Sequence, residues 1–262
     1  LHGRVFFVNA KQRLDPGLVI DLGIGGDGFA ARPGRGYSAE STEYARQLAR
    51  QLGRPLWVVD LREVIGKTVP EVKRGARPVC SACGVVKRYV MNRVAYEGGY
   101  ECVATGHNLD DEAAVLFGNT LRWNTEYLAR QRPMLPERDG FPRKVKPLVR
   151  LGEREMAAYC VVRGIDYIVE ECPMAAGNKH LVYKDALNRV EAESPGSKHA
   201  FYHQFLRRAV DAFDAETAEH DGGRCARCGA PSGNEICAFC ALVERCASPT
   251  EVPIDLRARS SR

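Results

Sequence analysis

Short apolar runs recur along the chain, each long enough for one buried strand. Four of them predict strands, at Leu18 to Leu22, Leu56 to Asp60, Glu101 to Thr105 and Ile165 to Val169. The first run is followed by a stretch rich in Gly, Pro and Arg, from Gly23 to Gly36, which predicts a flexible loop. Segments of helical length separate the runs, which indicates crossover connections rather than hairpins.

Between the runs, apolar residues recur at helical spacing. This spacing predicts helices at about residues 44–52, 83–97, 110–121, 153–163, 184–192 and 200–213. Ser38 predicts an N-cap for the first helix, and Gly53 predicts its end. The alternation predicts an α/β fold, a parallel sheet with helices on both faces. Ligands of such sheets bind beyond the carboxyl ends of the strands, so the segments after Leu22, Asp60 and Thr105 should converge on one cleft.

The composition is that of a globular protein, with 45% apolar and 27% charged residues among 262. No apolar run approaches the roughly 18 residues of a membrane-spanning helix, and Leu1 to Gly17 has no apolar signal-peptide core. Ten cysteines in such a chain favour a reducing compartment, where thiols bind metals or act in catalysis. We therefore expect a cytoplasmic protein.

Near the C-terminus, two CxxC pairs predict a metal site. Cys225 and Cys228 form the first pair, and Cys237 and Cys240 form the second. Four thiolates make the closed tetrahedral site of structural Zn²⁺, whereas the alternative, two disulfides, is disfavoured in a reducing compartment. The segment is too short for a core of its own, so metal binding is expected to supply its folding free energy.

A polar, Gly-rich stretch from Glu216 to Gly223 predicts a domain boundary ahead of these pairs. We expect a main domain over residues 1–218, a zinc ribbon over 219–246 and a disordered tail over 247–262. The formal net charge of +5 supports a polyanionic partner only weakly. The basic residues cluster, however, in three groups: Arg143, Lys144, Lys146 and Arg150; Arg122, Arg130 and Arg132; Arg207 and Arg208. These groups fit a phosphate-tracking face and equally an ordinary solvated surface.

A third CxxC pair, Cys80 and Cys83, lies at the start of the predicted helix 83–97, where the helix dipole stabilises thiolates. Three interpretations stay open: a redox dithiol, half of a zinc site, or half of an iron–sulfur site. Cys102 and Cys160 lie in apolar elements and are expected in the core. Cys172 instead follows the last predicted strand, at the expected cleft. Three thiolates around a cubane cluster would leave one iron open to exogenous sulfide.

The string TGHNLDDE, from Thr105 to Glu112, joins a strand end to a helix start through a glycine. Asp110 and Asp111 can form a nucleotide and magnesium site, with one carboxylate on the metal and the other near the reacting oxygen. They can equally be helix N-terminal residues that the dipole favours. His107 can likewise be an ordinary loop histidine.

These motifs, taken in order, resemble those of the tRNA 2-thiouridine synthetases of the ATP pyrophosphatase type. The resemblance rests on CSACGVVKRY at 80–89, ATGHNLDDEA at 104–113, KPLVRLGERE at 146–155, EECP at 170–173 and the C-terminal zinc ribbon. It runs from about Leu18 to Cys240. It is closest to the branch that thiolates 5-methyluridine in the T-loop of tRNA, and the wobble-uridine branch is the near alternative.

The resemblance implies an adenine-nucleotide α-hydrolase-like fold and a [4Fe–4S] cluster held by Cys80, Cys83 and Cys172, whose fourth iron binds the transferred sulfur. ATP adenylates the uracil C2 oxygen in this family, and sulfur then displaces AMP. The resemblance also implies that the chain forms a homodimer and binds tRNA. It further implies a partner that supplies sulfur, a ubiquitin-like carrier with a C-terminal thiocarboxylate.

The resemblance further implies ATP contacts from Ile20 (through its backbone, at the strand end), Lys87, Gly106 and Asp111. Lys87 and Asp111 are the implied catalytic residues. Without the family match, Lys87 would be taken for an exposed helix lysine.

The chain departs from the family at its N-terminal side. The pyrophosphatase loop SGGKDS, whose amides cradle the ATP phosphates, and the family's N-terminal zinc module are absent from the sequence. Gly25 to Gly28 (GGDG) is only a superficial echo of that loop. Three explanations are open: an incomplete gene product, which we expect; a divergent homologue that holds the phosphates otherwise; or an iron–sulfur and zinc protein that binds tRNA without catalysis. A zinc-only nucleic-acid module is the remaining alternative.

Overall fold

A computed structural model of the chain describes residues 4–7, 18–23, 30–32, 35–53, 56–66, 79–138, 140–167, 169, 172, 175, 177–216 and 223–245. The eight strands described are β1 (Arg4–Phe7), β2 (Leu18–Gly23), β3 (Ala30–Arg32), β4 (Arg35–Gly36), β5 (Leu56–Asp60), β6 (Cys102–Thr105), β7 (Met134–Leu135) and β8 (Arg143–Val145). Six of them form one sheet in the order β5-β2-β1-β6-β8-β7, and β3 pairs with β4 in a separate ribbon.

The helices described are α1 (Tyr37–Gln51), α2 (Leu61–Ile65), α3 (Val79–Glu97), α4 (Leu109–Thr120), α5 (Thr125–Ala129), α6 (Glu153–Val162), α7 (Lys179–Glu193), α8 (Ser197–Arg208) and α9 (Ala238–Arg245). A 3₁₀ helix, Val210–Glu216, follows α8. Helices and strands are interspersed between α1 and β8, and this mixture of helix and sheet confirms the predicted α/β class. None of the described helices is long and apolar enough to cross a membrane.

The main sheet is mixed rather than wholly parallel. Strand β2 runs parallel to β5, and β6 runs parallel to β8, but β1 lies antiparallel between β2 and β6. Strands β2, β5 and β6 therefore point the same way and end at one edge of the sheet, at Gly23, Asp60 and Thr105. This arrangement confirms the predicted convergence of strand ends, and it adds an antiparallel strand that the sequence did not predict.

Helix α3 forms the centre of the larger apolar core. Ala82, Val86, Val90 and Val94 recur every four residues and are all fully buried, so α3 presents one continuous apolar stripe. Val103 of β6 packs in the same cluster. A second core beneath α4 is built from Leu109, Leu116, Leu128, Val149 and Tyr202. The two cores hold α3 and α4, the helices that carry the predicted site motifs.

Several predicted boundaries were wrong. Helix α3 begins at Val79, so Cys80 and Cys83 lie inside its first turns instead of ahead of it. Ser38 lies within α1 and does not cap it. The stretch 23–36, predicted as a loop, contains the β3–β4 ribbon, whereas Gly25 to Gly28 and the tail 247–262 lie outside the described residues.

The strand predicted at Ile165 to Val169 is also absent from the described part of that segment, residues 165–167 and 169. Two observations explain why these residues form no strand, one at the end of α6 and one in the sheet. The N–H of Ile165 donates to the Cys160 carbonyl at 2.8 Å and so closes the end of α6. Both positions beside β6 are already taken, by β1 and by β8.

Candidate functional site

The site is organised around the turn from β6 into α4. Asn108 caps α4: its side chain accepts a hydrogen bond from the Asp111 N–H at 3.0 Å, and Asp111 Oδ2 accepts one from the Asn108 N–H at 3.2 Å. This reciprocal capping box fixes where the helix begins and how the Asp111 side chain is oriented. Asp111 is therefore held at the carboxyl edge of the sheet, as the sequence predicted.

Asp111 forms an ion pair with Lys184 of α7. Lys184 Nζ lies 2.7 Å from Asp111 Oδ1 and 3.4 Å from Glu153 Oε1. Burial favours the neutral acid, but Lys184, His107 and the Asn108 N–H outweigh it and lower the pKa of Asp111. The group is thus a carboxylate at neutral pH. Sequence reasoning missed Lys184, because a lysine in an amphipathic helix gives no signal of its partner.

Asp110 has different partners from Asp111. Its Oδ2 accepts a hydrogen bond from the Glu153 N–H at 2.7 Å, and its Oδ1 is paired with Lys198 of α8. The Asp110 carboxylate thereby satisfies a backbone N–H in the first turn of α6. Gly152, which precedes this turn, has no side chain that could accept that hydrogen bond. These contacts favour the alternative interpretation of Asp110, a residue at a helix N-terminus whose carboxylate serves the packing of the fold.

A buried carboxylate that the sequence did not single out lies behind the site. Glu112 is 2% exposed, and its Oε2 accepts hydrogen bonds from Lys146 Nζ at 2.7 Å, Gln131 Nε2 at 2.8 Å and the Tyr202 hydroxyl at 3.4 Å. These three partners come from three separate segments of the chain. Glu112 therefore joins α4 to the segments that surround it.

Cys80, Cys83 and Lys87 lie on one face of α3, at spacings of three and four residues. Burial raises the pKa of Cys80, the thiols of Cys172 and Cys83 raise it further, and Lys87 acts in the opposite direction. Burial also raises the pKa of Cys83, with Lys87 opposing it and Cys172 adding to it. These mutual effects require that Cys172, far away in sequence, lies close to the pair.

All three thiols are half-buried, and none of the described cysteines forms a disulfide. Within the described residues, only the C-terminal cysteines form a group of three or more whose ligand atoms all lie within 4.8 Å of one another, so at least one Sγ–Sγ distance among Cys80, Cys83 and Cys172 is longer. A cubane cluster is larger than a single ion and needs such wider spacing. The donor set, three thiolates beside one lysine, fits a [4Fe–4S] cluster with one open iron.

The resemblance also implies ATP contacts from Ile20 and Gly106. Ile20 lies inside a strand, whereas Gly106 lies just after one. Ile20 is the third residue of β2, paired with Val5 and Trp57 on its two sides. It is therefore not at the strand end, which is Gly23. Gly106 follows β6 directly, and the next residue, His107, has its Nδ1 2.7 Å from Thr105 Oγ1.

Basic residues from two of the three predicted clusters meet beside α3. Burial and, after it, the nearby charges of Arg130, Arg88 and Lys146 together lower the pKa of Lys144 to about 8. Lys144 Nζ also lies 5.6 Å from the centre of the Phe141 ring. Four cations thus crowd together, and only Lys146 has a carboxylate partner among the described ion pairs. Such crowding is typical of a surface that binds phosphate.

The four C-terminal cysteines form a compact candidate metal site. The Sγ atoms of Cys228 and Cys237 are 3.7 Å apart. Two sulfur ligands of a tetrahedral zinc ion, each with a Zn–S bond of about 2.3 Å, would be about 3.8 Å apart. Burial raises the pKa of Cys225, but backbone N–H donors, with that of Cys237 foremost, outweigh it and lower the value to about 6. The donor set and its spacing fit Zn²⁺.

The ribbon packs directly on α3. The Phe239 ring stacks on Tyr89 with 3.7 Å between centroids and 3° between planes, and Arg93 Nη1 donates to the Cys228 carbonyl at 3.3 Å. Elsewhere, a groove of about 470 Å³ lies between the ribbon and α3, and its lining includes Arg88, Tyr96 and Phe141. The helix that carries Cys80 and Cys83 is therefore also the platform of the zinc ribbon.

Comparisons with known proteins identify relatives whose names describe the thiolation of tRNA. No protein-family model matches the chain. It is 47% identical over 223 residues to the tRNA-5-methyluridine(54) 2-sulfurtransferase of Pyrococcus horikoshii, covering 85% of this chain and 68% of that protein. It is 48% identical over 229 residues to the protein of that name from Thermus thermophilus, covering 86% and 67%. Its fold matches the U34-tRNA thiolase NcsA from Methanococcus maripaludis, a structure with a [4Fe-4S] cluster, at a TM-score of 0.69 and 25% identity over 89% of this chain and 72% of that one.

Proposed function

Because this chain belongs to the tRNA-5-methyluridine 2-sulfurtransferase family, we propose that it uses ATP to replace the C2 oxygen of a uridine in tRNA with sulfur. The substrate we propose is the T-loop 5-methyluridine, as the names of the relatives indicate. The observation that carries the proposal is the electrostatic coupling of Cys172 to Cys80 and Cys83 beside Lys87.

The reaction has two steps. In the first, the C2 oxygen of the uracil attacks the α-phosphorus of ATP, an O–P bond forms and pyrophosphate leaves. In the second, a sulfur nucleophile attacks C2, the C2–O bond breaks and AMP departs with the former C2 oxygen. Adenylation is needed because the uracil carbonyl is a poor electrophile. With 5-methyluridine as the substrate, the products are 2-thio-5-methyluridine, AMP and pyrophosphate.

We assign Lys87 and Asp111 to catalysis, and Ile20, Gly106, Lys87 and Asp111 to ATP. Lys87 can offset the negative charge that the phosphates carry as pyrophosphate departs. Asp111, ionised and oriented by Lys184, can bind the magnesium ion of MgATP or accept a proton near the reacting oxygen. Ile20 contributes only backbone, and its position inside β2 makes it the weakest of the four assignments.

Cys80, Cys83 and Cys172 are the residues that we propose to hold a [4Fe–4S] cluster. When bound by three thiolates, the cluster would supply one iron with an open position for the sulfur that is transferred. Lys87 lies on the same helix face as the pair and lowers the pKa of both thiols. It can therefore stabilise the thiolate forms as well as the nucleotide.

Cys225, Cys228, Cys237 and Cys240 are proposed to hold a structural Zn²⁺ that keeps the ribbon against α3. We further propose a cytoplasmic homodimer that receives sulfur from a ubiquitin-like carrier with a C-terminal thiocarboxylate. The domain division at 218/219 remains a prediction, since residues 217–222 lie outside the described residues.

The proposal is tested by anaerobic reconstitution with iron and sulfide, followed by reaction with MgATP, a sulfide donor and tRNA containing 5-methyluridine. Mass spectrometry of the digested tRNA should reveal 2-thio-5-methyluridine. Cys172→Ala should abolish the product. Cys160→Ala, which removes a buried thiol in α6, is the matched control and should retain it. A Cys172→Ala variant as active as wild type contradicts the proposal.

Two alternatives are separated by the same assay. The structural neighbour acts on U34, so a tRNA with an unmodified wobble uridine should be offered in parallel. Product at position 34 alone would identify wobble thiolation. A protein that carries the cluster and binds tRNA, yet releases no AMP or pyrophosphate, would be a non-catalytic homologue.

A further inference from the structure

The turn after α4 holds a tryptophan in a conformation that normally belongs to glycine. Trp123 has φ +47° and is the only described non-glycine residue with a positive φ. Its N–H donates to the Thr120 carbonyl at 3.1 Å, and the Asn124 N–H donates to the Asn119 carbonyl at 3.1 Å. This pair of bonds defines a Schellman motif, whose left-handed position usually carries Gly because a Cβ is disfavoured there.

Burial of the indole does not compensate for that conformation. Trp123 is 71% exposed, and its neighbours Leu121 and Tyr127 are 59% and 60% exposed. Large aromatic side chains normally contribute stability by burying their surface, and this one leaves most of it in water. A strained, exposed residue in a well-bonded turn suggests a functional constraint rather than a folding one.

The surroundings of Trp123 are basic. The segment from residue 121 to 132 contains Arg122, Arg130 and Arg132 but a single carboxylate, Glu126. Arg130 belongs to the group of cations that lowers the pKa of Lys144. Exposed aromatic rings among arginines are typical of surfaces on which the unpaired bases of single-stranded RNA stack while cations contact the phosphates.

The turn is connected to the candidate catalytic carboxylate. Arg122 Nη1 donates to the Tyr183 hydroxyl at 3.2 Å, and the next residue, Lys184, is the partner of Asp111. Tyr183 packs against α4 at Gly118, where a Cβ would lie 2.5 Å from the ring. Along α4, Trp123 is twelve residues from Asp111, which corresponds to roughly 18 Å. A base stacked on Trp123 is therefore not the base that reacts.

We propose that Trp123 is a stacking platform for an unpaired tRNA base several nucleotides away from the modified uridine, with Arg122 and Arg130 contacting the adjoining phosphates. The inference rests on the proposed function only in taking tRNA as the substrate. It assigns Trp123 a positioning role: a base captured there helps to keep the loop open around the target.

The chain contains two tryptophans, Trp57 and Trp123, so Trp57→Phe leaves one fluorescent reporter at the turn. Titration of the metal-loaded variant with tRNA should quench and shift the emission of Trp123, and labelled tRNA measures the affinity in parallel by anisotropy. Trp123→Gly should weaken tRNA binding by about tenfold, the loss expected for one stacked base. Tyr159→Ala removes another exposed aromatic side chain, from α6, and should leave the affinity unchanged.

The glycine variant separates binding from folding. Because the left-handed position favours Gly, Trp123→Gly should unfold at the same or a higher temperature than wild type while it binds tRNA more weakly. Trp123→Phe, which keeps a ring, should retain part of the affinity.

Tight tRNA binding with unchanged Trp123 emission would overturn the platform and leave the proposed function standing. Quenching by the sulfur-carrier protein instead of by tRNA, or loss of dimerisation in Trp123→Gly at unchanged tRNA affinity, would also overturn it. Absence of tRNA binding in wild type would overturn both.

Discussion

Replacement of Glu112 by alanine should destabilise the protein strongly, although Glu112 touches no proposed ligand. The carboxylate is 2% exposed and is the ion-pair partner of Lys146, whose side chain is 17% exposed. Removal of one member of a buried ion pair leaves the other charge without compensation, at a cost of about 3–5 kcal/mol. Gln131 and the Tyr202 hydroxyl lose their acceptor at the same time.

The expected loss corresponds to a fall in Tm of roughly 10 °C, since 1 kcal/mol shifts the Tm of a chain of this size by about 2–4 °C. Urea and thermal unfolding of the zinc-loaded protein measure it. Glu112→Gln keeps an acceptor oxygen and should be less damaging. The double variant Glu112→Met/Lys146→Met buries no unpaired charge, so it should be more stable than the sum of the two single effects.

Glu126→Ala is the matched control, because this carboxylate is exposed on α5 and should change the stability by no more than about 0.5 kcal/mol. A loss below about 1 kcal/mol for Glu112→Ala, or strict additivity in the double variant, would refute the idea that the ion pair joins α4 to its surroundings.

Three further predictions follow from the charges and thiols of the site. Cys240→Ser should lower the bound zinc measured by mass spectrometry and lower the Tm, because the ribbon is held on α3; full zinc content would contradict this. The ion pair with Lys184 lowers the pKa of Asp111, so it stabilises the fold above the unfolded value of about 3.9 and is lost as the pH falls through the lower folded value. In Lys184→Met, the free energy of unfolding measured in urea should therefore change less between about pH 2 and 6 than it does in wild type. An unchanged pH profile would refute the ion pair. Because the pKa of Lys144 is about 8, tRNA affinity should fall between about pH 7 and 9 as that charge is lost; Lys144→Met should show a weaker pH dependence, and equal slopes would contradict it.

Much of the fold could be predicted because its signals are local. The apolar runs at Leu56–Asp60 and Cys102–Thr105 form strands close to where their hydrophobicity indicates. Their order with the intervening helices also predicted which strand ends share an edge. The antiparallel β1 was missed because strand direction depends on pairing with distant residues. The start of α3 had a local signal, Pro78 just ahead of Val79, which favours a helix beginning there.

The candidate site was predictable only in part, because its residue types were visible and their partners were not. Apart from the family resemblance, nothing in the sequence distinguishes Asp110 from Asp111. The difference arises because α6 places its unsatisfied N–H groups beside the first and α7 places Lys184 beside the second. The apolar run at 165–169 was misleading for a similar reason: both positions beside β6 are occupied by other strands. Long-range packing decided each of these cases.

The central claim is that Cys172 joins Cys80 and Cys83 around one cluster, and the iron stoichiometry of single variants tests it most directly. After anaerobic reconstitution, wild type and Cys160→Ala should each bind four iron and four sulfide per chain, with a Mössbauer spectrum in which one iron differs from the other three. Cys172→Ala should lose the cluster or retain it substoichiometrically. A Cys172→Ala protein with the full iron content and an unchanged spectrum would contradict the account.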